Sequence, residues 1–194
     1  MSDTKSLNGL TPARNLGSGA NSTGTNQYDI ASATTPSIFT GDVVSMISGK
    51  LVRTTVDGSI MPIGVFQGAR WEQDGEPKWG TYWPASTSAT NARGYVVDNP
   101  HATFFVQADA SANTTLLLAG SNYACTGITD GSTFTGRSGV GMKISTSTNG
   151  LTALVRPIAY KHEPGNSSSS AYPIFEVEWV RHQLTHASAT PAGT

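Results

Sequence analysis

Hydrophobic and polar positions in this chain alternate mostly with a period of two, the spacing that puts successive side chains on opposite faces of a β-strand. The pattern is cleanest at 174–181, IFEVEWVR. There Ile174, Glu176, Glu178 and Val180 form one set, and Phe175, Val177, Trp179 and Arg181 the other. The stretch 102–108, ATFFVQA, puts Phe104 and Val106 on one face and Phe105 and Gln107 on the other. GDVVSMIS at 41–48 reads as a strand that turns through Ser48-Gly49-Lys50 into a partner at 51–56, closed by Asp57-Gly58-Ser59.

The stretch from Ile60 to Ala85 holds three tryptophans, Trp71, Trp79 and Trp83, of the four in the chain. Ile63, Val65 and Trp71 suit a strand. Gln73-Asp74-Gly75-Glu76-Pro77 is dense in turn formers, and Lys78 to Pro84 suits a returning strand. Strict alternation places Trp79, Thr81 and Trp83 on one face, and Pro84 ends the strand because it has no N–H to donate. Rings of this size bury large apolar areas, so Trp71, Trp79, Trp83 and, further on, Trp179 are read as core or interface aromatics, at least two of the first three mostly buried. The competing reading is an exposed aromatic platform that stacks on sugar rings.

Further strands are expected at 94–98, 142–145 and 151–160, the last two joined by Thr148-Asn149-Gly150, a strong hairpin signal. The run 114–119 is ambiguous between strand and helical turn. Segments 86–92, 120–130 (around Tyr123 and Cys125) and 163–171 read as loops, and 132–139 as a turn or bulge. Turn residues at short intervals and roughly ten short strands predict an all-β chain, with a β-sandwich or barrel-like domain. No run predicts a helix of more than about three turns. The domain is placed at 37–182.

Residues 1–36 are small and polar, and such a segment alone buries too little apolar surface to offset its ordering entropy. They are read as an extended N-terminal arm that a partner holds, with Leu7, Leu10, Leu16, Tyr28 and Ile30 as anchors and Arg14 as the charge contact. The alternative is that the arm lies along its own domain. Residues 183–194 read as a polar C-terminal tail.

Charge changes this picture little. Charged residues are 13% of the chain and the net charge is −1, with no Lys/Arg cluster, so a phosphate-binding face for nucleic acid is not expected. No stretch reaches the length of a membrane span, and 1–11 lack the apolar core of a signal peptide, so neither membrane insertion nor secretion is expected.

Candidate chemistry is sparse. Cys125 has no second cysteine to pair with and is read as a small buried hydrophobe. His182 and His186 share the spacing of H-E-x-x-H, but Gln183 stands where the general base would be, so they are read as a surface pair. Asp74 and Glu76 flank a turn glycine, and the turn accounts for both. No phosphate loop occurs. No catalytic residue, metal ligand or cofactor-binding residue is assigned, and the chain is not read as an enzyme.

Several strings together carry a resemblance: TGDVVSMIS at 40–48, PIGVFQG at 62–68, the segment from Lys78 to Ala85 ending in Trp83-Pro84-Ala85, and FFVQA at 104–108. A G-D-V start, an I-G-V-F-x-G strand and a W-P-A end resemble those of tailed-bacteriophage head proteins that decorate or cement the capsid. The resemblance spans about 40–108. It implies a β-rich structural protein on the capsid exterior, assembled in the host cytoplasm, often a homotrimer, with the major capsid protein as its partner and no catalytic residues or cofactors. The rival reading is a carbohydrate- or receptor-binding module of a phage tail or fibre.

Overall fold

The computed structural model describes residues 4–17, 24–33, 36–54, 60–111, 120–128, 131–147, 152–167 and 170–185. Among these residues the regular structure is all strand. In chain order come β1 (Thr11–Asn15), β2 (Asn26–Asp29), β3 (Ile38–Phe39), β4 (Val43–Ile47) and β5 (Lys50–Arg53). Next are β6 (Gly64–Gln73), β7 (Glu76–Gly80), β8 (Tyr82–Trp83), β9 (Thr90–Val97) and β10 (Ala102–Gln107). The last six are β11 (Tyr123–Thr126), β12 (Gly131–Ser132), β13 (Arg137–Ser138), β14 (Gly141–Ser147), β15 (Val155–Tyr160) and β16 (Ile174–Trp179). The turns expected at 57–59 and 148–150, the ambiguous run 114–119 and His186 lie outside the described residues.

Two six-stranded antiparallel sheets build the molecule. The first runs β1-β10-β16-β15-β11-β14, the second β2-β9-β6-β4-β5 with β7 added alongside β6. Both sheets curl back on themselves. A parallel bridge from Ala108 to Met142 returns β14 to the end of β10, and one from Ile30 to Leu51 returns β5 to the end of β2. The Asp109 N–H donates to the Met142 carbonyl at 3.0 Å, and the Asp109 carboxylate accepts the Ile144 N–H at 3.0 Å, which fixes the first closure. Curling of this kind covers edge strands that would otherwise offer unpaired N–H and C=O groups.

Each curled sheet holds its own core. Phe104, Val106, Cys125, Met142, Val155, Phe175, Val177 and Trp179 fill the first, as the alternation of β10 and β16 requires. Ile30, Val44, Leu51, Phe66, Trp83 and Val96 fill the second. A Cβ on Gly94 would stand 2.7 Å from the end of the Leu51 side chain and 3.0 Å from the Phe66 ring, so a larger residue there would have to push core side chains aside. Val43, Val65 and Val97 point to the other side of the second sheet and join the first core, which binds the two units along one seam.

The arm expected at 1–36 is not separate from the domain. β1 pairs with β10, β2 pairs with β9, Leu10 is buried in the first core and Ile30 in the second. The segment's composition alone left out the ladder bonds that two sheet edges supply, and those bonds together with the buried Leu10 and Ile30 offset the ordering entropy. The tail boundary also moves. Gln183 accepts the Met46 N–H at 2.9 Å, donates back to the Met46 carbonyl at 3.1 Å, and its own N–H donates to Pro62 O at 2.8 Å.

Candidate functional site

The face that presents the most unusual side chains is the outer side of β6, β7 and β9. Its centre is a hairpin. Asp74 and Gly75 both adopt positive φ, 56° and 79°, the backbone of a two-residue primed turn, so β7 folds straight back onto β6. Register then decides where each tryptophan goes. Trp71 lies opposite Lys78 and faces the second core, where its ring meets Trp83 edge-on at 5.5 Å and 83°. Trp79 lies opposite Arg70, faces away, and is 67% exposed. After Gly80 the chain leaves this sheet at Thr81 and forms β8, which pairs with β3 and buries Trp83 completely. Uninterrupted alternation had put Trp79 and Trp83 on one face; the break at Thr81 separates them. Trp71 is half-buried, so of the three hairpin rings one is sealed, one half-covered and one exposed.

Around Trp79 a cleft of about 500 Å³ is lined by Arg70, Glu72, Pro77, Asn91 and Arg93. Arg93 donates through Nε to Asp29 at 3.0 Å, and Lys50 reaches the other oxygen of the same carboxylate at 3.3 Å. Asn91 sits at φ 50° where the β6–β9 register shifts, a bulge, and donates through Nδ2 to Glu72 at 3.0 Å. On the far side of Trp79 a shallower depression runs along Gln67, Gly80, Thr81 and Tyr95.

A second feature stands close by in the fold. β12 and β13 form a tight hairpin closed by the Gly136 N–H on Ser132 O at 2.7 Å. Phe134 at its tip is 98% exposed. The hairpin is held to the body by a bridge from Thr40 to Arg137, while the Thr40 hydroxyl donates to the Thr81 carbonyl. The two exposed rings, Trp79 and Phe134, therefore rise from segments that meet at Thr81.

The residues expected to anchor a partner are mostly occupied within the chain. Leu10 and Ile30 are sealed in the two cores and are not free to insert elsewhere, and Leu7 and Leu16 are half-buried. Arg14 forms an ion pair with Glu176, Nε to Oε1 at 2.6 Å, and Thr103 donates to the same oxygen at 2.8 Å. Burial acts to raise the Glu176 carboxyl, but the Arg14 and Thr103 bonds outweigh it and the group lies below its usual range; Arg14 is raised in turn. The Tyr28 hydroxyl donates to Asp98, and burial first, then this bond, pushes the phenol above its usual value.

Cys125 is buried, its thiol pushed up to about 12 by that burial, so it is an inert core side chain. His182 is not a surface group: it is buried beside Trp179, with ring centroids 6.1 Å apart. Trp179 itself is core, edge-on to Phe104 at 5.2 Å. Asp74 and Glu76 are exposed in the turn. Sequence reasoning passed over Asp42, which is fully buried, accepts the Phe39 N–H at 2.8 Å and faces Arg53 at 3.5 Å. Burial pushes its carboxyl up to about 6 against the opposing pull of those partners. It also passed over Arg70, Arg93 and Phe134, whose only signal was a charge or ring at a position that alternation or a turn turns outward.

Among the described residues no group of three or more His, Cys, Asp or Glu is gathered as a metal site, and no helix is long and apolar enough to cross a membrane. No protein-family model, curated protein or solved structure matches this chain.

Proposed function

We propose that this chain is a structural protein of a tailed-phage virion, a homotrimer that sits on the outside of the capsid and cements major capsid subunits. The observation that carries the reading is Phe134, a fully exposed ring on the tip of a short hairpin tied to the body. A ring presented this way is a contact anchor, because a partner pocket that desolvates it gains a large apolar area. The resemblance to capsid-decorating proteins supports the same reading. Its strings fall on β4, the start of β6, β8 and β10, framework strands of both units. Contact through many copies stabilises an assembled shell by mass action and avidity. The test is co-sedimentation with capsids stripped of the protein. Parent protein should pellet with capsids and Phe134→Ser should bind much more weakly; a parent that stays in the supernatant counts against the reading.

A second reading, a carbohydrate- or receptor-binding module of a tail or fibre, is favoured by one observation, the cleft beside the exposed Trp79. Binding to host-surface polysaccharide together with absence from capsids would select it.

A further inference from the structure

The Trp79 cleft has a charge arrangement that attachment through Phe134 leaves unexplained. Arg70 and Arg93 lie directly opposite each other across β6 and β9, and Trp79 lies opposite Arg70 across β7. Like charges placed directly opposite in a sheet repel. Asp29 answers Arg93 at 3.0 Å, while among the described residues no carboxylate stands in ion-pair contact with Arg70. An anion bound at Arg70 would relieve the repulsion.

The other walls narrow the class of anion. Trp79 offers an open ring face, a surface suited to the C–H face of a pyranose. The Asn91 amide and the Glu72 carboxylate are joined at 3.0 Å and held by the bulge at φ 50°, which pre-sets a donor and an acceptor side by side. A guanidinium fork matches a carboxylate in a planar, two-bond geometry. A cleft of about 500 Å³ has room for a short sugar segment.

We propose that this cleft binds a carboxylate-bearing sugar of the uronic-acid type. The Trp79 ring lies under the pyranose, Arg70 takes the carboxylate, and the Asn91–Glu72 pair takes neighbouring hydroxyls. The proposal rests on the carbohydrate-binding part of the second reading above and makes no use of capsid attachment.

The full chain is titrated with oligogalacturonate, neutral oligogalactose of the same length and polyglutamate, followed by tryptophan fluorescence and calorimetry. Oligogalacturonate should bind, and the neutral oligomer should bind at least about tenfold more weakly. Trp79→Ala and Arg70→Ala should each weaken oligogalacturonate binding about tenfold or more, with the melting temperature not lowered, because both side chains are exposed. Failure of oligogalacturonate to bind, equal affinity for the neutral oligomer, indifference to both variants, or tighter binding of polyglutamate would each overturn the proposal, the last by showing a site for an acidic protein segment. Capsid co-sedimentation of the same preparation is read separately, so the cement reading stands or falls on its own.

Discussion

At the scale of the residue, the four tryptophans show what alternation can and cannot reveal. Trp179 lies in an unbroken strand, and the period of two placed it correctly with Phe175 and Val177. Trp79 and Trp83 are four residues apart in a run that changes sheets between them, and no local pattern marks Thr81 as the crossing. The two rings therefore make opposite predictions. Trp83→Ala should cost about 3–5 kcal/mol by chemical denaturation, since it empties a sealed site in the second core. Trp79→Ala should stay within about 0.5 kcal/mol of the parent.

Asp42 is a second residue-level test. Its carboxyl lies at about 6 in the fold, well above the ordinary aspartate value, because burial disfavours the charged form. A raised folded value means stability that is complete below the unfolded pKa and lost as pH rises through the folded one. Between about pH 4 and pH 6 the Asp42 contribution should therefore fall by on the order of 3 kcal/mol. Carbon NMR of the Asp42 carboxyl should give a midpoint near 6; titration in the ordinary aspartate range would contradict the burial argument. His182 and Asp42 were hidden in the sequence for the same reason: polar residues read as surface until long-range packing covers them.

At the scale of the element, strands with long apolar alternation were legible: β4, β5, β6, β10, β15 and β16 all follow from their own residues. β1 and β2 were not. TPARN and NQYD carry no strand pattern, and they become strands because β10 and β9 present edges to them. β11, YACT, is only four residues long and sits in a stretch whose residues suggest a loop, although Tyr123 and Cys125 are both core. Leu10→Ala should consequently cost about 2–5 kcal/mol, the signature of a core residue; a neutral result would return residues 1–17 to the status of a loose arm.

The Arg14–Glu176 pair that ties β1 across to β16 gives a further check. Because Glu176 lies below its usual range, its contribution to stability is present above the unfolded pKa and is lost as pH falls through the folded one. Arg14→Ala leaves burial and Thr103 acting on the carboxyl. Its titration should move upward, and acid unfolding should begin at higher pH than in the parent. An unshifted acid transition would show that the pair does not hold β1 in place.

At the scale of the whole molecule, the expectation of an all-β chain, a sandwich or barrel-like domain of roughly ten strands, agrees in class with two curled antiparallel sheets joined along the Val43, Val65 and Val97 seam, while the strands number sixteen among the described residues. The division into arm and domain was not legible, because strands far apart in sequence close each sheet: Ile30 meets Leu51, and Ala108 meets Met142. The candidate site was half legible. The aromatic hairpin was evident from its composition, while the arginines beside it and the exposed Phe134 depend on register and on a turn tip. Such a molecule offers two contact features, one ring on a hairpin tip and another in a cleft, and the cement reading uses the first and the sugar reading the second. Electron cryomicroscopy of capsids stripped of this protein and then saturated with it tests the cement reading most directly. Density of three-fold form should appear on the capsid exterior, bridging neighbouring subunits with the Phe134 hairpin against the shell. Bare capsids after saturation, or density confined to the tail, would contradict it.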